Sequence, residues 1–93
     1  MIMGKKQTEQ ELLTYKWCLF FKHIIKGIGA KAISADSLVT MALIQPEAEM
    51  LCKDMQEAKT YALKAIDAIK AGDYIYLQYD PQHKAVAINE EYD

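Results

Sequence analysis

Four side chains in this 93-residue sequence are soft enough to hold a transition metal or to serve as a nucleophile and its base: Cys18, His23, Cys52 and His83. Their spacing argues against both uses. Cys18 and His23 are five residues apart, which on a helix turns them about 140° from one another, and no CxxC or HxxxH pair occurs. A catalytic thiol needs a base within hydrogen-bond reach and a surrounding that favours the thiolate. Cys18 falls on the apolar side of its segment, where burial does the opposite, and Cys52 has no histidine nearby in sequence. GIGAKA, at 27–32, contains two glycines but follows a helical pattern, whereas a phosphate loop follows a strand. The expectation is a protein with no catalytic residues, no metal and no cofactor, and therefore not an enzyme.

One cluster remains that could bind a small molecule. Tyr15, Lys16, Lys22, His23 and Lys26 fall on one side of the first helical segment. Lys22 and Lys26 are one turn apart and adjacent to Tyr15, so a ring and two ammonium groups could converge on a phosphate-bearing ligand such as a nucleotide. The alternative is an ordinary solvated lysine face. All eleven basic residues are lysine, and without arginine's planar fork an anion is attracted but held with little directionality.

The elements that must position these residues follow from hydrophobic period. Over 9–27 the pattern is amphipathic: Leu13, Trp17, Phe20, Phe21 and Ile24 share one face, with glycines at 27 and 29 as the stop. Leu12, Tyr15 and Leu19 form a second, smaller stripe inside the polar side, and this stripe needs a partner. Ser34 is a good N-cap for a strongly apolar helix over 35–45. Pro46 opens a third helix expected to run to 71, with Gly72 beyond it. Leu51, Met55, Ala58, Ala62, Ala65 and Ile69 form its inward seam. Beyond Gly72 the period changes to two, predicting strands over 74–79 and 84–89 joined at Asp80-Pro81. The expected core takes in Met41, Ile66, Leu77 and Val86 as well. The fold class is thus α+β, three helices and a C-terminal β-hairpin, in a single domain spanning 1–93.

Charge is divided along the chain. Residues 1–33 carry six lysines against Glu9 and Glu11, whereas 34–93 carry five lysines against eleven acids. Three helices and a hairpin is superficially the order of a winged helix. The helix that would enter the DNA groove, however, reads as about twice the usual length, with Glu47, Glu49, Asp54 and Glu57 in its first half. Nucleic acid is therefore not expected as a partner. No apolar run is long enough for a bilayer, so no membrane is expected. The start, MIMGKKQTEQELL, lacks the features of a secretory leader, and two cysteines make no disulfide framework. A cytoplasmic location is expected. Short lysine-rich chains of this kind are common among bacteriophage and mobile-element accessory proteins. A hairpin with two open edges and a surplus apolar stripe both call for another surface. The functional expectation is a non-catalytic binding protein that contacts an unidentified protein partner and associates with itself. Leu12, Tyr15, Leu19, Tyr74 and Tyr76 form the expected interface, and an anionic small molecule bound by the lysine face is the runner-up.

Overall fold

The computed structural model describes residues 8–92; residues 1–7, with Lys5 and Lys6, and Asp93 lie outside them. The first helix, α1 (Glu9–Ile28), is fixed at both ends. Thr8 caps it by accepting from the Glu11 N–H at 3.0 Å, and the Glu11 carboxylate accepts from the Thr8 N–H at 3.1 Å. This reciprocal pair satisfies two donors that the first turn leaves unbonded. At the other end Gly29 takes the left-handed conformation, φ 69°, so the helix runs through Gly27 and stops one residue later than the pattern suggests.

A short strand, β1 (Ala32–Ser34), follows, and then α2 (Ala35–Leu43), capped by the Ser34 hydroxyl accepting from the Ser37 N–H. α2 ends at Leu43, before the expected 45. The largest correction concerns the third helix. It is two helices, α3 (Pro46–Leu51) and α4 (Met55–Ala71), separated by Cys52 in an extended conformation. Asp54 causes the break: its carboxylate accepts from the Glu57 N–H at 2.8 Å, and Glu57 in turn accepts from the Lys53 N–H at 3.1 Å. Aspartate offers more as an N-cap than as an interior helix residue. The inward seam therefore starts at Ala58, and Met55 is 56% exposed rather than buried. Gly72, at φ 80°, closes α4.

The sheet has three strands instead of two. β2 (Leu77–Asp80) and β3 (Ala85–Ile88) form the hairpin, and β1 pairs antiparallel with the other edge of β3, giving the order β1-β3-β2. Ile33, Val86 and Tyr79 lie in one cross-strand row, Ala32, Ala87 and Gln78 in the next. The first row faces the helices, where Val86 is fully buried; Gln78 of the second is exposed. The predicted strand at 74–79 starts three residues late. Tyr74, Ile75 and Tyr76 form an irregular approach, tied to the end of β3 by bonds from Asn89: its N–H to Tyr76 O and its Nδ2 to Ile75 O. Ile75 is consequently half exposed. Among the described residues the hairpin's β2 edge has no strand partner, whereas β1 covers the β3 edge.

The core lies where α1 packs on α4, with α2 and the sheet closing it. Trp17, Phe21, Ile25, Leu38 and Val86 are fully buried. Phe20 and Phe21 both meet the Trp17 ring edge-on, at 5.5 and 6.1 Å between centroids, a favoured aromatic geometry. Ala62 and Ala65 are also fully buried, which allows α1 and α4 to approach closely. Leu13, Ile24, Met41 and Leu51, expected inside, are half-buried at its margin.

Candidate functional site

The two sets of residues singled out from sequence meet in part. Tyr15 on α1 stacks on Tyr74, 6.4 Å between centroids and 21° between planes. Tyr74 meets Tyr76 edge-on at 5.5 Å, and Tyr76 meets Tyr92 edge-on at 6.4 Å. The Lys22 ammonium lies 4.8 Å from the centre of the Tyr76 ring, within the range of a cation–π contact. Four tyrosines thus run from α1 across the approach to β2 and onto the 3₁₀ turn Glu90–Tyr92. The helical repeat aligns Leu12, Tyr15, Leu19, Lys22 and Lys26 beside this row.

The row is apolar and open to solvent. Leu12, Leu19, Ile75, Tyr76 and Tyr92 are each 40–49% exposed, whereas Tyr15 and Tyr74 are half-buried. Partial burial pushes the Tyr74 phenol above its ordinary value. Such a surface supplies ring faces, ring edges and hydroxyls, the mixture enriched at protein interfaces.

The other members of the lysine cluster separate from it. Lys16 and His23 are exposed, and His23 lines a groove of about 440 Å³ with Phe20, Ile24, Ile28 and Met41 on the opposite flank of α1. Tyr15 has one ring face already against Tyr74. Tyr15 and Lys22 belong to the tyrosine row and Lys26 to the same helix side, whereas His23 lines the other groove. The signal for Tyr74 and Tyr76 was their alternation out of the apolar strand face. Tyr92 and Ile75 carry no comparable signal, since only the turn geometry around Asn89 brings them to the row.

Both cysteines are structural. The Cys18 thiol is in donor geometry to Ala65 O at 3.7 Å, and burial pushes its pKa up to about 12. Cys52 accepts from Trp17 Nε1 at 3.3 Å, and its pKa is also raised, chiefly by burial. Both shifts disfavour the thiolate. A thiol-reactive dye added to native protein at pH 7.5 should therefore modify neither within minutes, and both at once in denaturant. Rapid native labelling of Cys18 would contradict this packing. Among the described residues no group of three or more His, Cys, Asp or Glu side chains could hold a metal, and no helix is long and apolar enough to cross a membrane. No protein-family model, curated protein or solved structure significantly matches this chain.

Proposed function

We propose that this protein is a non-catalytic binding domain that acts through protein–protein contact, and that its first partner is a second copy of itself. The carrying observation is the row of ring contacts Tyr15–Tyr74–Tyr76–Tyr92 with Lys22 over Tyr76, beside which the helical repeat sets the exposed Leu12 and Leu19. Large apolar side chains at separate points on a surface are ordinary, but a contiguous set marks a contact site. Self-association suits it because a two-fold axis sets the same patch against itself, leucine stripe against tyrosine row. Strand pairing through 74–79 is a poorer route, since Tyr74, Ile75 and Tyr76 are not in a strand. A stable interface needs about 1,000 Å² in total, so both the helix stripe and the tyrosines must take part.

Light scattering at micromolar concentration should report about twice the 10.6 kDa chain mass, and a Leu19→Glu, Tyr76→Ala variant should report the chain mass alone. The dimer should persist at high salt, because its contacts are mainly apolar and the charge contribution is screened. A wild-type mass of one chain in both low and high salt would remove the proposal.

A further inference from the structure

We propose that the groove where α2, α3 and α4 meet docks a basic amphipathic helix presented by another protein. The groove has a volume of about 560 Å³. It is lined by Leu43, Ile44 and Pro46 from the α2–α3 junction and by Cys52, Met55 and Ala58 around the break before α4. This apolar lining reaches the surface: Ile44 is 75% and Met55 56% exposed, and Met50 on the adjoining α3 is 84% exposed. Met50 and Ile44 are the two most exposed large apolar side chains among the described residues. Methionine is unbranched and polarizable, so it moulds itself to an apolar partner of irregular shape.

The shape favours a helix over an extended peptide. The walls are helix ends and turns, not a strand edge, so the groove offers side chains rather than a ladder of backbone donors and acceptors. A helical partner satisfies its own backbone and supplies apolar anchors at i, i+3 or i+4 and i+7. At about 10 Å across, such a helix lies over the groove, and only its anchors enter.

Charge sets the sign of the partner. From Ser37 to Ala58 the chain carries four acids, Glu47, Glu49, Asp54 and Glu57, against Lys53 alone. Glu49, Asp54 and Lys53 line the groove, and Glu47 borders the neighbouring groove that shares Gln45 with it. Lys59, one turn along α4 from Met55, still leaves an excess of two acids. The field reaches the groove lining: the Cys52 pKa is raised chiefly by burial and further by the charges of Glu57 and Asp54. α2 ends at the groove with no basic residue in its last turn, so its carbonyl end adds partial negative charge. α4 begins there with its positive end, but Asp54 and Glu57 already engage that first turn. Lysines or arginines flanking the apolar anchors therefore complement the rim, whereas an anionic lipid surface is repelled. The basic side of α1 in a second copy belongs to the self-contact proposed above, so the docked helix comes from a different protein. The groove shares no residue with the tyrosine row.

The experiment is fluorescence anisotropy of three labelled peptides, each about 18 residues long, titrated with the full chain. One is an amphipathic leucine–lysine helix, the second has the same composition scrambled, and the third has glutamate in place of lysine. The leucine–lysine helix should bind at micromolar concentration, about tenfold or more tighter than either control. Ile44→Gln with Met55→Gln should weaken it about tenfold or more. Glu49→Lys should weaken it about threefold at low salt and less at high salt. Tyr76→Ala, in the tyrosine row, should leave it unchanged. Should the double variant melt early, Ile44→Gln alone must still weaken binding. No binding of the leucine–lysine helix up to about 100 µM, equal binding of either control, or groove variants without effect would each overturn the proposal. Two further outcomes would overturn it by naming another occupant. Vesicles of phosphatidylcholine and phosphatidylserine that bind more tightly, and lose binding in the same variants, would make the face a lipid surface. A dimer that becomes monomeric in the Ile44→Gln, Met55→Gln variant would make the groove the self-contact. A wild-type protein of one chain's mass removes self-association and leaves this test intact.

Discussion

Truncating Phe21 to alanine is expected to lower the free energy of unfolding by about 3–5 kcal/mol, the range for a large aromatic removed from a closed core. Phe21 is fully buried and packs edge-on against Trp17, itself fully buried, so the vacated space has no route to solvent. A domain of this size has a total stability of about 5–15 kcal/mol, and a loss of 3–5 corresponds to roughly 15–30 °C in melting temperature. Urea titration followed by Trp17 fluorescence measures it directly. A Phe21→Ala protein that melts within a degree or two of wild type would show that Phe21 does not occupy the core. Truncating Leu12 or Leu19, half exposed on the opposite side of the same helix, should cost far less in the monomer.

The second large effect is expected from adding volume. Ala65→Leu places three more carbons in the seam between α1 and α4, where Ala65 is fully buried and its carbonyl lies 3.7 Å from the Cys18 sulfur. Helix propensity is nearly the same for the two residues, so the change reports packing. Overpacking a closed seam costs about 1–3 kcal/mol, occasionally more, as side chains leave their rotamers and the backbone shifts. Ala71→Leu, exposed in the last turn of the same helix, is the matched control and should change stability by only a few tenths of a kcal/mol. Equal effects at 65 and 71 would mean that the helices do not approach through their alanines.

The sequence by itself determined the elements whose signals are local. α1 was legible because a 3.6-residue period and a glycine stop agree, Gly29 being the cap although Gly27 lies within the helix, and its apolar face holds the buried Trp17, Phe20 and Phe21. The Ser34 cap, Pro46 at the start of a helix, Gly72 at the end of another and the change of period before the hairpin are local in the same sense. The burial of Cys18 and the exposure of His23 followed from helical phase. What tertiary structure decided was everything resting on a partner distant in the chain. β1 has no alternating pattern in its three residues; it is a strand because β3, more than fifty residues later, offers a free edge of N–H and C=O groups. The break between α3 and α4 was visible only as an aspartate in a continuous apolar period. The cap outweighs that period once Cys52 is held extended, its sulfur accepting from Trp17 on another helix. The tyrosine row joins α1, the approach to β2 and the last turn of the chain, which no window of sequence contains together. Helical and strand periods report which face of a segment is buried, whereas strand pairing, helix interruption and surface clusters depend on which segments become neighbours.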